Sequence, residues 1–168
     1  RRGCRCRTGD FHCDDDGITL KSTMERPCEN VVVTNCVVST HCNAIKMGTE
    51  SHGGFKNITI SNCAVYPAQT PGFAHQAPEG QSGIALMSVD GGHIDGVTIS
   101  NISIQGMLCP IFLRLGDRGR IFTEGVPRPK VGTLRNVQIS NVVATGAGAR
   151  GCFLAGIPGH LIENLTLD

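Results

Sequence analysis

Hydrophobic and polar positions alternate in short runs that return along the chain. Asn30-Val-Val-Val-Thr-Asn-Cys-Val-Val, Asn57-Ile-Thr-Ile-Ser-Asn-Cys-Ala-Val, Gly96-Val-Thr-Ile-Ser-Asn-Ile-Ser-Ile and Asn136-Val-Gln-Ile-Ser-Asn-Val-Val-Ala are four copies of one phrase. A fifth, Asn164-Leu-Thr-Leu-Asp, ends the chain. A second phrase alternates with the first: Gly17-Ile-Thr-Leu-Lys-Ser, Ala44-Ile-Lys-Met-Gly-Thr, Gly83-Ile-Ala-Leu-Met-Ser and Pro110-Ile-Phe-Leu-Arg-Leu. Alternation with β-branched residues, punctuated by Gly, Asn and Ser, predicts strands.

The phase is fixed. Ile18 to Asn35, Ile45 to Asn62 and Ile84 to Asn101 each span 17 residues, while Asn35 to Ile45 and Asn101 to Ile111 each span 10. The unit is therefore 17 + 10 = 27 residues with two strands. Two longer intervals predict loop insertions, near 66–82 and near 116–131.

A short strand pair cannot bury its apolar face alone, so repeats of this kind stack. The predicted fold class is all-β, a right-handed parallel β-helix of about 27 residues per coil. It forms one partial domain over 1–168. The alternative is a two-layer sandwich with similar turn spacing, against which the fixed phase argues. Ile18, Ile45, Ile84 and Ile111 form one predicted inward column, and Leu20, Met47, Leu86 and Leu113 the next. Thr19, Lys46, Ala85 and Phe112 point outward between them. Asn35, Asn62, Asn101 and Asn141 are expected as a structural ladder at a bend, since Asn tolerates left-handed backbone. The chain opens within a coil and stops inside a strand, which predicts a fragment of a longer β-helix, truncated at both ends.

Composition refines this picture. Gly is 22 of 168, Trp is absent and aromatics are 4%, which suits a solenoid of many tight turns. With 15 basic and 14 acidic residues the net charge is +1, which argues against a nucleic-acid partner. No apolar run of about 20 residues predicts a membrane span. A monomer is expected. Of the nine cysteines, Cys36 and Cys63 occupy equivalent repeat positions and read as a small-residue stack. Cys4, Cys6 and Cys13 fit no standard zinc spacing, and no metal or other cofactor is expected. Pairing of Cys13 with Cys42 stays open on sequence alone.

Candidate chemistry concentrates at the turn before the second phrase. It reads Phe11-His-Cys-Asp-Asp-Asp-Gly17 in one coil and Ser39-Thr-His-Cys-Asn-Ala44 in the next. Aligning Ile18 with Ile45 sets Asp14 under His41, Asp15 under Cys42 and Asp16 under Asn43. Crowded carboxyls favour holding one proton, which is how a general acid is made near neutral pH. A solvated or amide-capping acidic loop is the plain alternative. Lys46 points outward one step away, and Lys21 and Glu50 lie at the ends of the same strands. The first insertion leaves from the equivalent turn one coil later and is placed to wall a cleft. Its His75 reads as a loop residue.

Asp15-Asp16-Gly17-Ile-Thr-Leu-Lys-Ser, Arg26-Pro-Cys-Glu-Asn-Val-Val-Val-Thr-Asn-Cys, Ser39-Thr-His and Ile45-Lys-Met-Gly-Thr-Glu-Ser followed by Gly53-Gly-Phe-Lys-Asn-Ile together resemble glycoside hydrolase family 28, the polygalacturonase-like enzymes. The resemblance covers most of residues 13–115. It implies a right-handed β-helix that cleaves pectic polysaccharide by inversion without a metal. Asp15 and Asp16 match the family's Asp-Asp pair, with Asp14 where Gly or Gln is usual. His41 falls one residue early for the Gly-His-Gly position. The Asn-Thr-Asp triplet, whose Asp is a main catalytic residue, would lie one coil earlier, outside this chain. The Arg-Ile-Lys position falls at Ala85-Leu86-Met87, so both cations are replaced there. Lys46 and Arg114 are the expected substitutes.

The resemblance thus implies Asp15, Asp16 and His41 as catalytic residues and Asp14, Lys46, Glu50 and Arg114 as substrate-binding residues. The partner is a pectic polysaccharide containing uronate or rhamnose. A secreted or periplasmic location follows only from that substrate. Two rival readings remain. One is a calcium-dependent β-helical lyase using Asp14–Asp16 as ligands. The other is a non-catalytic carbohydrate-binding β-helix.

Overall fold

Stacked repeats pair equivalent strands side by side, and the computed structural model, which describes residues 4–69 and 79–168, is all-β with parallel sheets. One sheet carries the longer phrase. Its strands are β1 (Cys4–Cys13), β3 (Cys28–Thr40), β5 (Phe55–Pro67), β7 (His93–Gln105), β9 (Thr133–Thr145) and β11 (Ile162–Leu167), in that spatial order. The other carries the shorter phrase, in the order β10 (Phe153–Ala155), β8 (Cys109–Leu115), β6 (Ser82–Ser88), β4 (Asn43–Ser51) and β2 (Ile18–Ser22).

The register matches the predicted columns. Ile18 pairs with Ile45, Ile45 with Ile84 and Ile84 with Ile111. Leu20, Met47, Leu86 and Leu113 pair in the same way. Their side chains meet Val33, Ile60, Ile99 and Ile139 of the six-stranded sheet in one shared core. Truncating a fully buried member such as Ile99 to Ala would cost about 2–5 kcal/mol, through lost burial and the cavity left behind.

Strict alternation does not run through the long strands. Inward residues step by two, then by three, then by two: Val31, Val33, Cys36, Val38 in β3 and Ile58, Ile60, Cys63, Val65 in β5. The step of three falls at Asn35 and Asn62, whose φ angles are 58° and 55°. A left-handed residue there turns the strand and resets which face points inward. Asn101 and Asn141 do the same at 56° and 52°, so the expected ladder is present. Its amides bond along the stack, Asn101 Nδ2 to Asn62 Oδ1 at 3.0 Å and Asn141 Nδ2 to Asn101 Oδ1 at 3.2 Å.

A second ladder of bends was not expected. Asn30, Asn57, Asn136 and Asn164 also have positive φ, between 47° and 59°. Gly96 holds their column at 71°, where the absent side chain costs nothing. The hydrogen bond that an Asn would make there comes from the neighbour Asp95, whose Oδ1 accepts from Asn136 Nδ2 at 2.7 Å.

The two predicted insertions correspond to the stretches between β5 and β6 and between β8 and β9. The second occupies the stretch between Leu115 and Thr133. The first lies between Pro67 and Ser82, and 70–78, with His75, is outside the described residues. Both its roots bond to one turn, Ala68 N to Thr40 O at 3.1 Å and Gln81 N to Cys42 O at 2.8 Å. One outward position differs in environment from its neighbours in the column. Ala85 is fully buried, in a small apolar cluster with Met87 and Val89 on the far side of the sheet from the core.

Candidate active site

Parallel pairing fixes the turn by geometry. Cys13 pairs with Thr40 and Ile18 with Ile45, so the four residues 14–17 lie against the four residues 41–44. Gly17 N donates to Asn43 O at 2.9 Å. Only glycine fits at position 17, because a Cβ would collide with the Val38 side chain and the Ala44 carbonyl. Thr40 Oγ1 donates to the Asp15 carbonyl and accepts from Cys42 N at 2.9 Å, which fastens the two turns together.

Asp16 is held at both carboxylate oxygens. Its Oδ1 accepts from Asn43 Nδ2 at 2.7 Å and from Asn43 N at 3.2 Å. Its Oδ2 meets Lys46 Nζ at 2.5 Å. The side chains of Lys46 and Asp16 are only 14% and 15% exposed, which removes much of the screening that weakens surface pairs. Asn43 passes the network on, accepting at Oδ1 from Ser82 Oγ at 2.5 Å. Asp15 Oδ1 accepts from Asp16 N at 2.8 Å.

Cys42 sits beneath these groups. Burial first, then its hydrogen bond to Asp15 and the charges of Asp15 and Asp16, push its thiol up to about 12. A pKa raised in this way favours the protonated thiol near neutral pH. A ligand atom from each of Asp15, Asp16 and Cys42 lies within 4.8 Å of the others. That donor set mixes two carboxylates, which suit calcium, with a thiol, which suits softer ions and must lose its proton to bind one. One Asp16 oxygen already faces the Lys46 ammonium.

The other predicted site residues are spread more widely. Asp14 is in the same turn, and His41 is buried, only 4% exposed. Glu50 lies near the far end of β4, past an irregularity where the pairing with β2 steps from Leu20–Met47 to Ser22–Ser51. It pairs with Lys21 at 3.3 Å and with Arg120 at 3.7 Å. Burial opposes its charge, but its own backbone amide, Lys21 and Arg118 outweigh that and hold its pKa below the usual value. Arg114 is exposed on β8, paired in register with Met87. Lys46 pairs in register with Ala85, as the columns predict.

A groove of about 910 Å³ opens on this side of the five-stranded sheet. Asn43 and Lys46, the two residues that hold Asp16, line one part of it. Phe112, Phe153 and Arg150 line another. Sequence reasoning passed over the phenylalanine pair, which stacks with centroids 4.9 Å apart and planes 12° from parallel. The residues sit on separate repeats of different length, and only pairing of β10 with β8 sets Phe153 against Phe112.

A second polar centre was also missed. Asp90 is completely buried and receives a forked pair of bonds from Arg118, Nε to Oδ1 at 2.9 Å and Nη2 to Oδ2 at 2.5 Å. Arg120 N adds a bond at 3.0 Å and Ser51 N one at 3.4 Å. Arg118 Nη1 reaches on to Thr49 Oγ1 at 3.0 Å. Arginines inside the predicted insertion were the available signal, but their buried partner is 28 residues away in sequence. Comparison with protein-family models, curated proteins and solved structures finds no match to this chain.

Proposed function

We propose that this chain forms a right-handed parallel β-helix of about 27 residues per coil that hydrolyses glycosidic bonds in pectic polysaccharide. One observation carries the reading. Asp16, matched to the Asp-Asp pair of the polygalacturonase-like hydrolases, is gripped by Asn43 and Lys46, and those same two side chains line an open groove. A carboxylate held by groove-lining side chains is suited to draw a proton from a water there.

In an inverting mechanism one carboxylate draws a proton from water as it attacks the anomeric carbon. A second carboxyl, roughly 6.5–9.5 Å away, protonates the leaving oxygen. Asp15 and Asp16 take the water-activating part. The resemblance assigns the proton donor to a motif that is not among these residues. His41, buried in the adjoining turn, is a positioning residue for the cluster. Lys46 and Arg114 supply positive charge for a uronate carboxylate through charge-assisted hydrogen bonds, with Asp14 and Glu50 contributing to binding of the chain. A polymer of this kind is met outside the cytoplasm, so the protein acts as a secreted or periplasmic one.

The test compares the unmodified protein with Asp16→Asn on polygalacturonate and on rhamnogalacturonan, in chelator. Reducing ends and the absorbance of unsaturated products are followed together. Reducing ends without that absorbance, reduced at least about 100-fold in Asp16→Asn, support the hydrolase. Unsaturated product that appears only with calcium would instead identify a lyase that uses Asp14–Asp16 as calcium ligands. Binding of either polymer without turnover would leave a carbohydrate-binding β-helix.

A further inference from the structure

The polar column that starts at Asp16 crosses three coils. Asn43 stands on the next coil, and Ser82 on β6 pairs in register with Asn43. Three side chains are joined end to end there. Ser82 Oγ donates to Asn43 Oδ1 at 2.5 Å, and Asn43 Nδ2 donates to Asp16 Oδ1 at 2.7 Å. Ser82 is only 3% exposed and stands where the first insertion rejoins the sheet. Gln81 N and Ser82 N both donate to the Cys42 carbonyl, at 2.8 Å and 3.3 Å, so backbone and side chain clasp the same segment. Asn43 and Ser82 both line the groove.

We propose that Ser82 is a positioning residue for the water-activating carboxylate and acts through Asn43. This rests on the hydrolase reading and adds to it a residue that does not itself bond to Asp16. The two ends of an Asn amide are nearly alike in shape, so its partners fix how it points. Ser82 donates at one end and Asp16 accepts at the other. A donor on the carbonyl also polarises the amide and strengthens its N–H bond to the carboxylate. With Asn43 N as a second donor at 3.2 Å, both acceptor positions of Asp16 Oδ1 are taken. Lys46 takes one position on Oδ2 and leaves the other. Oδ2 is therefore the oxygen that draws the proton. The water O–H bond breaks and its proton passes to Oδ2. The hydroxide oxygen bonds to the anomeric carbon, and the leaving oxygen departs with a proton from the second carboxyl. Without Ser82 the amide swings, Oδ1 loses a well-aimed donor, and the carboxylate turns from that geometry. The loss falls on the chemical step rather than on binding of the polymer.

The experiment measures kcat and KM on polygalacturonate or rhamnogalacturonan, whichever the unmodified protein cuts. The variants are Ser82→Ala, Ser82→Thr, Asn43→Ala and the double variant Ser82→Ala with Asn43→Ala, and urea midpoints give the folded fraction of each. Ser82→Ala is expected to lower kcat about tenfold, the effect of one lost hydrogen bond, with KM changed by less than about twofold. Ser82→Thr keeps the hydroxyl and should recover most of that loss. In the Asn43→Ala background, Ser82→Ala should change kcat no further, because the amide it acts through is gone. This cycle decides the matter even where the added methyl of Thr is not tolerated. An unchanged kcat in Ser82→Ala, a change confined to KM, or equal falls in kcat with and without Asn43 would overturn the proposal and leave the hydrolase reading in place. A protein that cuts neither polymer, or cuts only by elimination, would overturn both.

Discussion

Lys46 Nζ lies 2.5 Å from Asp16 Oδ2, and the two residues come from neighbouring repeats 30 positions apart. The ammonium therefore ties one turn to the next as well as facing the groove. Removing either partner leaves the other charge largely buried. Asp16→Asn and Lys46→Met should each destabilise the fold, and the pair should be coupled by about 1–3 kcal/mol. A double-mutant cycle on urea midpoints measures this. Additive single effects would mean that the contact contributes nothing to stability.

Asp90 is expected to make the protein acid-sensitive. Burial opposes its charge, but the Arg118 fork and the amides of Arg120 and Ser51 outweigh it and hold its pKa below the ordinary 3.8. A carboxyl whose folded pKa is depressed adds stability that is complete above its unfolded value. That stability is lost as pH falls through the folded value. Stability should thus drop below pH 3.8, and Asp90→Asn should show less of that drop. At neutral pH the same variant should be less stable by about 1–3 kcal/mol, because Arg118 loses its charged acceptor. Urea midpoints at about pH 6 and about pH 3 separate the two effects. Parallel loss in both proteins would assign the acid sensitivity to other carboxyls.

The Asn ladder offers a cleaner separation. Asn101 has φ of 56° and bonds to Asn62 below and Asn141 above. Asn101→Ala loses both bonds and strains the backbone, for a cost of about 1–3 kcal/mol. Asn101→Gly loses the bonds but relieves the strain, so it should fall between Ala and the native protein. Thermal unfolding gives the order, and a Gly variant no better than Ala would show that the side-chain bonds dominate.

Thiol reactivity should follow burial. Cys36 is buried, with Cys6 Sγ 3.7 Å away, and burial first, then its contacts with Cys6 and Cys63, push its pKa up to about 12. Cys42 reaches a similar value through burial and Asp15. Cys4 and Cys152 are exposed. Iodoacetamide should therefore label Cys4 and Cys152 in the native protein and reach Cys36 and Cys42 only after unfolding, as peptide mass spectrometry would show. Early labelling of Cys36 would mean that the edge formed by β1 opens readily.

The repeat was legible because its cause is local. Alternation of Ile, Val and Leu with polar residues sets which side chains face inward, and equal spacing sets Ile18 on Ile45 and Leu20 on Met47. The Asp14–Asp16 turn was placed against His41–Asn43 by the same counting, since no residue intervenes between the paired strands. The bends at Asn30 and Asn57 escaped notice because an Asn at the start of a phrase looks like ordinary punctuation, and only the φ angle marks it as a turn within a strand. The sequence by itself thus determined the strands of the two repeated phrases, the register between them and the residues of the acidic turn, because a shared phase links the phrases. Tertiary structure alone decided that Lys46 would grip Asp16, that Asp90 would bury itself under Arg118, and that Phe153 would stack on Phe112. Those contacts depend on side-chain direction and on loops of unequal length, which no repeat encodes.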